Sequence, residues 1–209
     1  PKLSESENMI NAQALGHPMI SEALSIRNDI LIKDKDFLIV TGANMAGKST
    51  FLRTVSLSIV MANCGLPVCA KSFNYRPIKL ISSMRTSDSL VEDSSYFHAE
   101  ITRLKFIVDK IKEEHYFIVL DEILKGTNSQ DKAIGSRKFV ERLVRSGSTG
   151  IIATHDLSLC DIEKEYKEIS NKHFDAQIED GELLFDYILK DGVCVNMNAS
   201  FLLKKMKII

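Results

Sequence analysis

A glycine-rich stretch that ends in a lysine and a serine could bind phosphate groups: FLIVTGANMAGKSTFLR, residues 37–53. It fits the pattern G-x-x-x-x-G-K-[ST] through Gly42, Gly47, Lys48 and Ser49. In such a loop, backbone N–H groups and the positive end of the following helix surround a chain of phosphates. The lysine can reach the β- and γ-phosphates, and the serine hydroxyl can bind Mg²⁺.

The residues on either side of this stretch favour a phosphate-binding loop over a chance match in an ordinary glycine-containing loop. Residues 37–40 are apolar strand formers, which predicts a buried parallel strand. Apolar residues then recur at helical spacing, so we expect a helix that begins at the lysine. The predicted nucleotide-binding residues are Gly42, Ala43, Asn44, Met45, Ala46, Gly47, Lys48, Ser49 and Thr50.

Two carboxylates end a second apolar run, YFIVLDE at residues 116–122. An enzyme that hydrolyses a nucleotide needs one acid to hold the Mg²⁺ sphere, and a second acid to orient and deprotonate the attacking water. We assign Asp121, with Ser49, to the metal and Glu122 to the general base. The alternative is a polar strand end that is exposed to solvent.

A histidine follows a third apolar run, GIIATHDLSL. Because the ends of parallel strands gather around the ligand in open α/β folds, His155 could hydrogen-bond the γ-phosphate or the catalytic water. The alternatives are a histidine that caps a helix and a histidine whose hydrogen bonds are merely satisfied within the fold. In EDSSYFHAEI, Ser94 or Ser95 is a suitable N-cap for the helix that follows. A helix start with exposed hydroxyl groups can also bind an anion. The phosphate-binding loop already provides one anion site, so a single nucleotide does not require this second one.

Composition predicts one mixed domain with little affinity of its own for nucleic acid. The chain has 209 residues with 27 basic and 28 acidic side chains, so most DNA contacts are expected on another domain or on a partner. The four cysteines form no C-x-x-C pair and are interpreted as buried, reduced thiols of a cytoplasmic protein. Residues 55–70 carry polar side chains, which favours a core helix over a membrane span. The first residue is Pro1, so we expect a fragment of a longer protein.

Strand and helix patterns alternate after residue 35, which predicts an α/β domain with a mostly parallel sheet flanked by helices. We assign residues 1–35 to a lead-in segment with a strand near Ile26, Ile30 and Ile32, and residues 36–209 to the domain. Strands are predicted at 36–41, 78–84, 116–121 and 149–154, and helices at 48–63, 95–113, 131–146 and 156–167. The second helix has its predicted apolar stripe at Phe97, Ile101, Leu104, Val108 and Ile111. A β-hairpin at 174–195 with its turn at Asp180 and Gly181, and a short closing helix, complete the prediction.

Several of these segments together resemble the MutS family of DNA mismatch-repair ATPases. GANMAGKS is similar to the family's G-P-N-M-G-G-K-S, and DEILKGTNSQD resembles D-E-I-G-R-G-T-S-x-x-D. SYFHAEI resembles S-T-F-x-x-E-M, which places Ser95 and Glu100 on the family's serine and glutamate. ATHD resembles A-T-H-Y, and GHP resembles R-H-P.

The resemblance implies a P-loop NTPase of the ABC type that hydrolyses ATP with Mg²⁺ and works as a homodimer with two composite sites. It further implies that Ser95, with Glu100, serves the nucleotide bound by the opposite subunit, and that DNA is contacted mainly through other domains. Ala46, Tyr96, Leu124, Lys125 and Asp156 depart from the family pattern, so a MutS paralogue outside mismatch repair is an alternative. ABC transporters and chromosome-maintenance ATPases are disfavoured because both normally carry L-S-G-G-Q, which is absent from the sequence. A third alternative is a nucleotide-gated dimerisation module with negligible turnover, against which Glu122 argues.

Overall fold

The structure, a computed structural model, describes residues 1–84, 96–179 and 182–194. The strands, in chain order, are β1 (Lys2–Leu3), β2 (Asn8–Leu15), β3 (Asn28–Lys33), β4 (Phe37–Gly42), β5 (Ser72–Tyr75), β6 (Lys79–Ser83), β7 (Tyr116–Asp121), β8 (Thr149–Ala153), β9 (Ile169–Phe174), β10 (Gln177–Glu179), β11 (Glu182–Leu184) and β12 (Leu189–Asp191). The α-helices are α1 (Lys48–Asn63), α2 (Tyr96–Lys110) and α3 (Ser129–Arg145), and a 3₁₀ helix covers Leu157–Lys164.

The main sheet has the strand order β12-β9-β4-β8-β7-β6. All neighbouring pairs from β9 to β6 are parallel, and β12 is antiparallel to β9. Every residue of β4 and of β8 is buried, as expected of strands that are covered on both faces. The prediction of a mostly parallel sheet flanked by helices is confirmed.

Alternate residues of the central strands enter two separate cores. Phe37 and Ile39 of β4 pack with buried residues of α2, α3 and the 3₁₀ helix on one face. Leu38 and Val40 pack on the opposite face with buried residues of α1, because successive side chains of a strand point to opposite sides. The sheet therefore lies between α1 and the other helices.

A second sheet of four strands, in the order β1-β5-β2-β3, covers the side of α1 away from the main sheet. Residues 1–35 supply three of its strands, and β5 comes from the segment after α1. Its inward side chains, such as Ile10 and Ile32, are fully buried in the same core as Leu52 of α1. The predicted strand around residues 26–32 is found at Asn28–Lys33, and Ile26 precedes it.

Some predicted elements differ in extent from the structure. The segment predicted as a helix at 156–167 forms a 3₁₀ helix over Leu157–Lys164. The late hairpin is limited to β10 and β11, because Leu189–Asp191 pairs with β9 and extends the main sheet. The closing helix, the turn at 180–181 and Ser94 and Ser95 lie outside the described residues.

Two details of predicted burial were wrong. On α2 the predicted Leu104 and Val108 are buried and Ile111 packs against the same core, but Ile101 is exposed. Ile107, which was not predicted, is fully buried instead, because the helix turns a slightly different stripe toward the sheet. Cys64 is exposed at the end of α1 and Cys69 is half-buried, whereas Cys160 and Cys194 are buried as predicted. The structure describes all four cysteines, and none of them forms a disulfide bond.

The chain leaves β4 and β8 in opposite directions. After β4 it passes through α1 and β5 to β6 at one edge of the sheet, and after β8 it crosses to β9 on the other side of β4. A crevice forms where neighbouring parallel strands diverge in this way, and ligands of open α/β sheets bind there. Among the described residues, no helix is both long enough and apolar enough to cross a membrane.

Candidate functional site

The loop between β4 and α1 takes a conformation that requires glycine at both ends. Gly42 has φ 146° and Gly47 has φ 105°, and Met45 between them has φ 69°. A Cβ atom at Gly42 would lie 2.6 Å from the carbonyl oxygen of Phe174, so β9 also excludes a side chain there. Gly47 begins α1 without a side-chain cap, and the first turn carries no acidic residue. The helix N-terminus is thus open to an anion.

The nine predicted loop residues divide into two groups. Ala43 and Ala46 are buried in the core beside α1, and Gly42 forms the turn out of β4. The other six line a single cavity of about 780 Å³: Asn44, Met45, Gly47, Lys48, Ser49 and Thr50. The backbone of the loop and the start of α1 therefore face one concave space.

Lys48 points back into its own loop. Its Nζ atom donates hydrogen bonds to the carbonyl oxygens of Gly42, at 2.7 Å, and of Ala43, at 2.8 Å. Burial lowers the pKa of Lys48, while the nearby carboxylates of Glu122 and Asp121 act in the opposite direction. The amine is held by two neutral carbonyl groups, which an anion could replace with a stronger, charge-assisted contact.

The two carboxylates at the end of β7 lie in the wall of the same cavity. Asp121 ends the strand and is buried, with 6% of its surface exposed. Glu122 follows with φ 52°, and its backbone N–H donates to the carbonyl oxygen of Ala153 on β8 at 2.9 Å. A left-handed residue at this position turns the chain out of the sheet, so the two acids occupy different environments.

Glu122 is held by two cationic or hydrogen-bonding partners. Its Oε1 atom lies 2.7 Å from Nε2 of His155, and its Oε2 atom lies 3.0 Å from Nζ of Lys125. The hydrogen bond from His155, followed by that from Lys125, lowers the pKa of Glu122 to about 2. The carboxylate is therefore ionised and fixed in orientation at neutral pH.

His155 extends from the end of β8, where it can reach Glu122. The preceding Thr154 continues the sheet, since its N–H donates to the carbonyl oxygen of Val40 at 3.0 Å. The following Asp156 caps the 3₁₀ helix, with its side chain 3.0 Å from the N–H of Ser158. The capping role that sequence reasoning considered for His155 is thus taken by Asp156.

Lys125 belongs to the site, although sequence reasoning gave it no role. It lines the cavity, and only 17% of its side chain is exposed. The signal was present in the sequence as a lysine three residues after Glu122, at a position where the resemblance expects arginine. Its identification needed the turn at residues 122–125, which brings the lysine back to the carboxylate.

Glu100 lies on α2 and binds the backbone of its own chain. Its Oε1 atom accepts a hydrogen bond from the N–H of Leu124 at 2.6 Å, and Oε2 accepts one from the N–H of Lys125 at 3.1 Å. Ser95, which the resemblance pairs with Glu100, lies outside the described residues. The assignment of these two residues to a neighbouring subunit's nucleotide stays a prediction.

Part of the cavity wall is built by residues that sequence reasoning did not assign to the site. Seven lie between the last residue of β2 and the first residue of β3, both included, and one precedes β12: Leu15, His17, Ile20, Leu24, Ser25, Ile26, Asn28 and Tyr187. Asn28 joins the two segments, since its side chain bonds the carbonyl oxygen of Tyr187 and the N–H of Leu189. The cavity wall therefore combines the charged and polar groups around Lys48 with apolar side chains from these two segments.

Comparison with known proteins identifies a family whose model matches most of the chain. The family model described as MutS domain V matches residues 38–206. A DNA mismatch repair protein MutS of Thermotoga sp. (strain RQ2) is 31% identical over 90% of this chain and 24% of its own length. The MutS protein homolog 4 of Homo sapiens is 31% identical over 77% of this chain and 18% of its own length.

A DNA mismatch repair protein MutS of Fusobacterium nucleatum is 34% identical over 79% of this chain and 19% of its own length. The chain thus spans a quarter or less of the length of these curated relatives. Since the domain V model covers well over half of its residues, the chain belongs to the MutS family.

Proposed function

We propose that the chain binds ATP with Mg²⁺ and hydrolyses it, as the P-loop, ABC-type ATPase domain of a MutS-type mismatch-repair protein. One observation carries the proposal. The residues needed for phosphate binding, metal binding and water activation line one cavity at the carboxyl ends of β4, β7 and β8: Lys48, Ser49, Asp121, Glu122 and His155. Three separate chain segments supply them, which a chance motif in one loop would not produce.

Phosphate binding rests on Lys48 and the start of α1. The lysine exchanges its hydrogen bonds with the carbonyls of Gly42 and Ala43 for contacts with phosphate oxygens. This exchange is favourable because a charge-assisted hydrogen bond is stronger than one to a neutral carbonyl. The open N-terminus of α1 adds backbone N–H donors to the same anion.

The donor set fits Mg²⁺. No group of three or more His, Cys, Asp or Glu side chains among the described residues could hold a metal ion. Mg²⁺ binds to oxygen, and it needs few protein ligands because it keeps water and takes phosphate oxygens. The hydroxyl of Ser49 and the carboxylate of Asp121 would hold the ion, which would neutralise charge on the phosphates.

Glu122 acts on the attacking water, and His155 and Lys125 set its state. With a pKa of about 2, the carboxylate is a good hydrogen-bond acceptor that orients water, but a weak base. A bound γ-phosphate competes for the cationic Lys125 and for the His155 N–H. When either partner turns to the phosphate, the carboxylate loses a stabilising contact, and its basicity rises.

Dimerisation and DNA engagement complete the proposal. Ser95 would reach the nucleotide of a second copy, so two chains together form two sites. The curated relatives are named DNA mismatch repair proteins, and this chain corresponds to a quarter or less of their length. We therefore place most DNA contacts in other parts of the protein, with ATP turnover coupled to the dimer state.

The test is phosphate release from ATP by the purified chain, with and without Mg²⁺. We expect turnover with Mg²⁺, none after chelation by EDTA, and none with Lys48→Ala. ATP binding without any turnover at high protein concentration would instead support a nucleotide-gated dimerisation module. Absence of ATP binding would overturn the proposal.

A further inference from the structure

The segment after β7 carries two left-handed residues that are not glycine. Glu122 has φ 52° and Leu124 has φ 58°. Residues with a Cβ atom disfavour this conformation, so it persists only where the surrounding structure holds it. We name residues 122–126 the base loop, because it begins with Glu122. Its conformation decides where the Glu122 carboxylate points.

The carboxylate of Glu100 holds the base loop through two backbone N–H groups. The hydrogen bonds from Leu124, at 2.6 Å, and from Lys125, at 3.1 Å, use both of its oxygens. Successive N–H groups converge on one anion where a left-handed residue turns the backbone, and such concavities bind negative charge. Glu100 occupies this concavity as an internal anion.

Helix packing on either side reinforces the same loop. Phe97, one turn before Glu100 on α2, lies against Gly126, where an added Cβ would be 2.8 Å from the Cβ of Phe97. The Leu124 side chain reaches α3, where an added Cβ at Gly135 would lie 2.6 Å from Cδ1 of Leu124. The base loop is therefore enclosed by α2 and α3. Among the described residues, Glu100 is the only one whose charged side chain binds the backbone N–H groups of this loop.

The geometry points to Glu100 as a positioning residue that acts within its own chain. By fixing the base loop, it holds Glu122 at 2.7 Å from His155 and Lys125 at 3.0 Å from Glu122. This inference rests on the proposed ATP hydrolysis. It differs from the role that the resemblance implies, in which Glu100 serves the nucleotide of the opposite subunit.

The first test is Glu100→Gln, which keeps the shape of the side chain. The amide retains one acceptor oxygen, but its NH₂ group cannot accept the second backbone N–H. We expect kcat for ATP hydrolysis to fall by roughly 10²-fold, the scale of a small misplacement of a reacting group. We expect the Kd for Mg²⁺–ATP to stay unchanged, because Lys48, Ser49 and Asp121 are not touched. Glu113→Gln, which removes an exposed carboxylate near the end of α2, is the matched control and should hydrolyse ATP at the wild-type rate.

The second test asks whether Glu100 acts through Glu122. If it does, adding Glu100→Gln to Glu122→Gln should cause no further fall in kcat, since the group being positioned is already lost. Losses that multiply in the double variant would contradict the inference. A Glu100→Gln protein that has lost ATP binding would also overturn it, because the residue would then support the whole cavity rather than the base loop.

The third test separates action within the chain from action across a dimer. Lys48→Ala and Glu100→Gln proteins are mixed at equal concentration. If Glu100 serves the partner's site, a mixed dimer contains one complete site and hydrolysis returns. If Glu100 acts within its own chain, the mixture stays inactive. Wild-type protein without any turnover would refute the proposed function itself, whereas active wild type with an equally active Glu100→Gln protein would refute only this inference.

Discussion

The Oε1 atom of Glu122 lies 2.7 Å from Nε2 of His155, and this contact joins the ends of two neighbouring parallel strands. Glu122 also donates its backbone N–H to Ala153 at the end of β8. Side chain and backbone together fix the carboxylate relative to the strand that carries the histidine. An acid that is held in this way can orient water without a large rearrangement of the site.

The Glu122→Gln variant should bind Mg²⁺–ATP as the wild type does, because Lys48, Ser49 and Asp121 remain. Its rate of hydrolysis should fall by roughly 10²-fold or more, the usual effect of losing a positioned acid–base group. Calorimetry measures the binding, and phosphate release measures the rate. Glu5→Gln, at an exposed position far from the cavity, is the control. Hydrolysis at the wild-type rate would show that Glu122 is not the base.

Trapped ATP should also shift the Glu122→Gln protein toward a dimer. If each nucleotide is completed by the neighbouring chain, ATP binds the dimer more tightly than the monomer, and the equilibrium moves by linkage. Sedimentation with and without ATP measures the shift, and adding Ser95→Ala should weaken it. A variant that stays monomeric at every concentration would contradict the composite site but not the role of Glu122.

Substitution of Lys48 by alanine should abolish ATP binding. The amine is a main counter-charge to the phosphates, and no other lysine of the loop can replace it. Lys105→Ala, which removes an exposed lysine from α2, should leave the affinity unchanged. Equal affinities for all three proteins in calorimetry would refute the assignment of residues 42–50 to phosphate binding.

The isolated chain should bind matched and mismatched DNA duplexes equally weakly. Its net charge of −1 gives little attraction to DNA phosphates, since the 27 basic side chains are balanced by 28 acidic ones. Fluorescence anisotropy at two salt concentrations measures both affinities. A clear preference for the mismatched duplex at both concentrations would place the recognition surface within these 209 residues.

Thiol reactivity should separate the cysteines by burial. Burial, with Asp156 nearby, raises the pKa of the Cys160 thiol from 9.0 to about 12, so the folded state favours the neutral form. The stability from this preference is fully present below pH 9 and is lost as the pH rises through about 12. At pH 8.5 a thiol reagent should modify exposed Cys64 quickly and Cys160 only after unfolding in urea. The burial of Cys160 would be contradicted if the folded Cys64→Ser protein were still labelled rapidly and the folded Cys160→Ser protein were not.

Replacing Gly150 with alanine should destabilise the fold. An added Cβ would clash with the carbonyl oxygen of Ile118 and lie 2.9 Å from the ring of Phe37, both in the centre of the sheet. Overpacking of this kind costs about 1–3 kcal/mol, which a urea unfolding curve detects. Gly135→Ala is the control, since its Cβ would meet only one terminal methyl group of Leu124, which a side-chain rotation can move without shifting the backbone, and alanine favours a helix. Equal unfolding midpoints for Gly150→Ala and wild type would contradict the packing described for β8.

The phosphate loop and the strands beside it were predictable from sequence because their signals are local. Gly42, Gly47 and Lys48 lie within one short stretch, and the apolar runs of β4, β7 and β8 each end at a chemically distinctive residue. The residues that complete the cavity were not predictable in this way. His17 and Tyr187 come from opposite ends of the chain, and only the pairing of the strands brings them to the same space.

The helical stripe of α2 shows a second limit of sequence reasoning. Periodicity indicated that the helix is amphipathic, but both Ile101 and Ile107 fit a helical stripe with Leu104. The choice between them depends on how the helix lies across β6 and β7. Likewise, the contacts of Glu100 with the base loop depend on the position of α2, so its role within the chain had no sequence signal.

The composition of the second sheet has a consequence for the order in which the chain folds during synthesis. β2 and β3 leave the ribosome before β5, which lies between β1 and β2 in the sheet and follows only after the whole of β4 and α1. Until α1 has been made, the inward face of the β2–β3 pair, with Ile10 and Ile32, lacks the helix that covers it, and it lacks its neighbouring strand until β5 follows. Pairings between distant parts of a chain form slowly, and a waiting apolar face is open to association with other chains. Residues 15–28 connect the two strands of this pair and build part of the cavity wall, so we expect the wall to take its final form only once the sheet has closed.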